Sequence, residues 1–132
     1  EYTSSTLPPF QHESFGDNLH RCCRYFFYTG GGAAYQSHGM GVEASSTVAY
    51  CNPPLPNILR ASPTVTFETA LVIFDGNSES AITSIGGINY SAHGSILQIA
   101  CTASGGGLDD GHGCLVYSSG DSSSGFLIDA EL

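Results

Sequence analysis

The chain has no lysine and no tryptophan, and Arg21, Arg24 and Arg60 are its only fixed positive charges. Twelve Asp and Glu residues oppose them, for a formal net charge of -9 at pH 7. Such a surface excludes a nucleic-acid partner, because phosphate contacts require clustered Lys or Arg. Docking on an anionic membrane is excluded for the same reason. Charged residues make up only 11% of the sequence, against a usual share of roughly a quarter. Ser, Gly, Thr and Asn take their place and give a neutral, hydrogen-bonding surface. No apolar run approaches the roughly 20 residues of a spanning helix, so membrane insertion is not expected. No signal peptide is visible and the chain opens on Glu1 rather than Met. We therefore read it as a fragment, a processed product or the ordered end of a longer polypeptide.

Cysteine is present but lacks a pattern. Cys22, Cys23, Cys51, Cys101 and Cys114 are odd in number and have no metal-type spacing. Adjacent Cys22 and Cys23 make a poor disulfide, and the set reads as buried thiols acting as small hydrophobes. A Cys101–Cys114 bridge across one hairpin is the alternative. With 132 residues the chain is long enough for one domain with a core that needs no disulfide.

Residues 1–14 read as an extended arm, since Pro8-Pro9 forbids helix there. Ser14 then caps a short helix over about Phe15–Arg24, with Asp17 in its first turn and Phe15, Leu19 and Cys22 at helical spacing. Leu19 and Cys22 are expected to be buried together, with Phe10 and Phe15 stapling arm and helix to the core. The rest, 15–132 including that helix, reads as one domain of short strands. Expected strands are Tyr25–Tyr28, Gly39–Val42, Thr47–Cys51, Thr64–Phe67, Leu71–Phe74, Ile82–Tyr90, Ser95–Cys101, Cys114–Tyr117 and Phe126–Ile128. Gly and Pro punctuate them, with Asp75-Gly76-Asn77 and Ala92–Gly94 as turns. The fold class is all-β: an antiparallel, jelly-roll-like β-sandwich with one short N-terminal helix.

The chemistry-bearing motifs are sparse. Gly30–Gly32 and Gly105–Gly107 lack the helix and the Lys-Ser/Thr of a phosphate loop and read as loop tips. Asp109, Asp110 and His112, with His93, could form a mixed oxygen and nitrogen metal site, calcium before zinc, but no ligand spacing supports it. No metal or cofactor is expected. No nucleophile elbow exists, and we assign no catalytic residue. Sugar recognition is the better match, because it needs an aromatic platform beside hydroxyl, amide and carboxylate partners. Three segments with that chemistry fall on expected loops, giving Tyr35, His38, Tyr90, His93, Asp109, Asp110 and His112 as candidate ligand-binding residues.

Three segments also carry a resemblance. Pro9–Phe27, PFQHESFGDNLHRCCRYFF, is similar to the opening signature of the C-terminal receptor-binding knob of phage tail fibres and related virion appendages. Ile58–Phe67, ILRASPTVTF, resembles that family's "M-R-A-x-P-T-V-T" strand, and Ile128–Leu132, IDAEL, its terminal "A-D-A-E-L". The order agrees, and the pieces bracket nearly the whole chain, while 78–124 matches nothing we can name. Cys23 stands where Gln is usual and Gln11 where Glu is common, so a Gln-dependent hydrogen bond would be lost. The resemblance implies a virion protein, assembled in the host cytoplasm and exposed extracellularly. It implies a homotrimer joined to other virion proteins through arm and helix, with distal loops meeting a host-surface glycan or receptor. An apolar share of 41% in so uncharged a chain agrees with subunit contacts. A purely structural capsid-decorating or fibre-capping role is the alternative, and a glycan-cleaving tailspike domain a more distant one.

Overall fold

In the computed structural model, residues 14–68, 70–91 and 96–131 are described. The arm over residues 1–13, with Phe10 and His12, the Ala92–Gly94 turn with His93, and Leu132 lie outside them. Helix α1 spans Phe15–Cys22, and the Ser14 side chain caps it by accepting from the Asp17 N–H at 3.2 Å. Nine strands follow: β1 (Phe26–Tyr28), β2 (Ser37–Ser45), β3 (Val48–Asn52), β4 (Thr64–Phe67), β5 (Leu71–Phe74), β6 (Glu79–Ser91), β7 (Ile96–Ala103), β8 (Gly113–Ser118) and β9 (Phe126–Asp129). Every pairing is antiparallel. The expected all-β class with one short N-terminal helix is thus observed. The finer sandwich description is not what the pairing gives: six strands close into a barrel, β2-β3-β7-β6-β5-β8, beside a three-stranded sheet, β1-β9-β4.

The two sheets are related. β1 leads into β2, β4 into β5, and β8 into β9, and both triplets keep one order, β1-β9-β4 and β2-β8-β5. The small sheet is therefore the barrel wall continued around a corner. Thr29 N–H donates to the Phe126 carbonyl at 3.0 Å, and Gly31 N–H to that of Ser122 at 3.2 Å. Glu68 N–H donates to the Gly125 carbonyl at 3.1 Å, tying in the third strand. Gly30 is thus part of a packed corner rather than a loop tip: a Cβ there would strike Tyr28 and the Ser124 carbonyl.

A six-stranded barrel is narrow enough for side chains to fill. Leu71, Ile73, Leu97, Ile99, Cys101 and Val116 fill it, and Phe126, Ile128 and Val65 of the small sheet join the same core. Near Cys51, β2 carries Gly39, where a Cβ would lie 2.7 Å from the Cys51 sulfur.

Two expectations are corrected. All five cysteines are free, and the single hairpin expected to join Cys101 to Cys114 does not exist, because β7 and β8 are not neighbours in the barrel. Cys51, Cys101 and Cys114 are buried as expected, but Cys22 is exposed and Leu19 is 51% accessible. Strands complete the core together with Leu59, Leu108 and Ala130 from the segments flanking them, no residue of α1 is buried, and Cys22→Ser should leave stability unchanged. Burial pushes the Cys51 thiol up, the Cys101 thiol to about 12 and the Cys114 thiol to about 11. Such thiols are poor nucleophiles. A thiol reagent should titrate Cys22 and Cys23 in the native chain and the other three only on unfolding. Rapid labelling of all five without denaturant would show the barrel open.

A candidate binding face on the barrel wall

Antiparallel register fixes which end of the barrel each loop occupies. Ser37, Asn52, Ser91, Ile96, Leu71 and Ser118 mark the end that leads into the small sheet and α1. Ser45, Val48, Phe74, Glu79, Ala103 and Gly113 mark the distal end. The distal end carries Glu43, Asp75, Glu79, Asp109 and Asp110 and no arginine.

The candidate ligand residues consequently do not converge. His38 lies in β2, not on a loop, and is 1% exposed with its ring edge-on to Phe126. Tyr90 lies in β6, and its hydroxyl accepts from Leu59 N–H at 2.8 Å and donates to the Leu59 carbonyl at 3.2 Å. It clamps the 53–63 segment, beside a shallow amide-rich depression lined by Asn52, Asn89 and Gln98. Asp109, Asp110 and His112 alone stand at the distal end. There the Glu43 carboxylate accepts from Asp109 N–H at 2.6 Å, Gly111 N–H donates to the Glu43 carbonyl at 2.8 Å, and His112 lies 3.7 Å from the Asp109 carboxylate. Among the described residues no three His, Cys, Asp or Glu side chains come together as metal ligands. Tyr35 sits at the opposite, helix-side end, 68% exposed.

Tyr35 does belong to a site, but with partners the sequence reading missed. Its φ of 65° is left-handed, a conformation costly for a side chain this large. Ser118 holds it there: Tyr35 N–H donates to the Ser118 carbonyl at 3.0 Å, and the next N–H, of Gln36, to the Ser118 hydroxyl at 3.1 Å. The ring thereby stands 6.3 Å from that of Tyr117, which meets Phe74 edge-on at 6.0 Å. The Tyr117 hydroxyl donates to the Glu79 carboxylate, which raises its pKa to about 12.

The aromatic group opens onto a row set by register, Met40 opposite Leu115 and Leu115 opposite Phe74. These side chains point outward because the inward phase of β8 belongs to Cys114 and Val116. With Gly41, Asp75, Gly76 and Gly113 they line a shallow depression of about 400 Å³. At its rim Asp75 accepts from the N–H groups of Asn77 and Ser78 at 2.7 and 2.6 Å. Those two bonds, Ser78 first, hold the Asp75 carboxyl below its usual value, so it remains an acceptor. The wall offers an aromatic and aliphatic platform with two carboxylates at its edge and no cation. That chemistry suits the C–H faces and hydroxyls of a neutral ligand.

His38 supplies a separate prediction. Neither ring nitrogen has a hydrogen-bond partner at ordinary distance among the described residues. Burial lowers its pKa below the ordinary 6.5, with the Thr29 backbone working weakly the other way. The unfolded chain therefore takes up the proton first, and stability, full above that ordinary value, is lost as pH falls through it. Urea midpoints should drop between about pH 7 and 5, and His38→Leu should flatten that dependence. An unchanged slope in the variant would assign it to other groups.

No protein-family model, no curated protein and no solved structure matches the chain.

Proposed function

We propose that the chain is the terminal knob of a virion appendage, a tail or capsid fibre, that attaches to a host-surface glycan through the barrel wall around Tyr35, Tyr117 and Phe74. The observation that carries this reading is the exposed Tyr35 ring, held out in a left-handed conformation by Ser118 beside the half-buried Tyr117. Strained residues held by their surroundings cluster at functional sites, and this one presents an exposed ring. The three terminal and central segments that resemble fibre knobs support the virion setting. In this reading the domain is a homotrimer, joined to other virion proteins on its N-terminal side and exposed outside the cell once assembled. The jelly-roll sandwich of such knobs would correspond here to the barrel with its corner sheet. We assign the chain a binding role and no catalytic one.

The test is a glycan array and host-cell adsorption with the intact chain and two variants. Tyr35→Ala removes an exposed ring, so it should fold normally and lose about tenfold in affinity. Asp110→Ala, at the distal end, should bind as the parent does, and binding should vary little with salt because no cation is engaged. Loss with Asp110→Ala and none with Tyr35→Ala would move the receptor site to the distal loops. Absence of any glycan or cell binding would leave the purely structural role, and release of products from host polysaccharide would make the domain an enzyme.

A further inference from the structure

We infer that the uncovered apolar face of α1 is the seat of a second copy of this chain. Phe15, Leu19 and Cys22 stand at i, i+4 and i+7, one face of the helix, and an apolar stripe of that kind ordinarily faces a core. Here it faces solvent: Phe15 is 82% exposed and Leu19 51%. Ile58, Tyr25 and Phe26 extend the exposed apolar surface from the helix onto the neighbouring segments. An eight-residue helix is far below the length that holds together alone in water. Its ties to the rest of the chain include polar ones at and just beyond its C-terminal end. The Asn57 amide donates to the His20 carbonyl at 2.9 Å, and Arg60 N–H to the Arg24 carbonyl at 2.9 Å.

Charge selects the occupant. Arg21, Arg24 and Arg60 all lie at this end, the Arg60 guanidinium 5.3 Å from the centre of the Tyr25 ring. Asp17, Asp129 and Glu131 lie at the same end, and Asp129 is paired with Phe26. The distal end is acidic throughout, and each copy carries a net charge of -9. Two acidic distal ends repel, whereas two copies of this end can meet with both signs present, as a self-complementary surface requires. A closed symmetric assembly uses one such patch on each subunit. An acidic partner would find the arginines already set among carboxylates. The inference deepens the homo-oligomer of the proposed reading by naming the contact between its copies, and it does not depend on what the barrel wall binds.

Sedimentation equilibrium of the intact chain up to about 100 µM tests it. The expected result is a reversible oligomer that holds or strengthens as salt rises, because salt screens the net repulsion. Leu19→Asp should weaken association at least about tenfold, the loss that follows from uncovering one leucine. The barrel's urea midpoint should change little, because Leu19 is half exposed and lies outside the buried core. Met40→Asp, on the barrel wall, should associate as the parent does. A chain that is monomeric throughout the range, a Leu19→Asp variant that associates undiminished, or association that collapses with salt would each overturn the inference. Disruption by Met40→Asp alone would overturn it too, and place the contact on the barrel wall.

Discussion

Replacing Phe126 by Ala should cost about 3–5 kcal/mol of folding stability, near the upper end for a single core residue. Phe126 opens β9, the central strand of the small sheet, and is wholly buried. Its backbone is fixed on both sides by Thr29, whose hydroxyl accepts from Phe126 N–H at 2.8 Å and whose N–H donates to its carbonyl at 3.0 Å. Its ring lies where barrel and corner sheet meet, against His38 at 6.5 Å. The walls of the resulting cavity are hydrogen-bonded strands, which cannot close over it, so both the transfer and the cavity terms are lost. Phe74→Ala, on the outer wall, leaves no sealed cavity and should cost markedly less. Urea denaturation of the two variants measures the difference; comparable losses would mean that the outer wall, rather than the corner, is the hydrophobic centre.

Much of this architecture was legible in the sequence because local signals agreed with the tertiary outcome. Ser14, Asp17 and the period of Phe15 and Leu19 placed the helix, alternation placed Thr64–Phe67 as a strand, and the Ser/Gly-rich turn that follows Cys114–Tyr117 marked that segment as another. Barrel closure was not legible, since the pairings β3 with β7 and β8 with β2 are long-range and leave no local trace. The helix misled for a related reason. An amphipathic period states that one face seeks apolar cover, but not that the cover comes from the same chain. The site was half legible. Tyr35 was visible as an aromatic in a polar segment, but His38, three residues on, is turned inward at the bulge between Ser37 and Gly39. Leu115 and Tyr117, in the opposite phase to Cys114 and Val116, could have been picked out as outward residues by that alternation alone. Their meeting with Phe74 depends on the neighbour that closure supplies.

The corner gives the sharpest test of why the chain turns where it does. Gly125→Ala should destabilise by about 3 kcal/mol or more, a loss that ordinary surface substitutions do not approach. The reason is space. A Cβ at Gly125 would land on the backbone N and Cα of Gly30 and 3.0 Å from the Tyr28 ring. Neither can give way. Gly30 is held in the corner through its neighbours, whose N–H groups bond to Phe126 and Ser122, and the Tyr28 hydroxyl is engaged by the Ser123 carbonyl. The connections β1–β2 and β8–β9 would have to separate, breaking the bonds by which the barrel wall continues into the small sheet. Gly86→Ala is the control, because nothing lies within 4 Å of its added methyl. It should change stability by no more than about 0.5 kcal/mol. If Gly125→Ala proves as mild as Gly86→Ala, the two connections are not in close contact, and the corner must be held by the strand pairing of β9 alone.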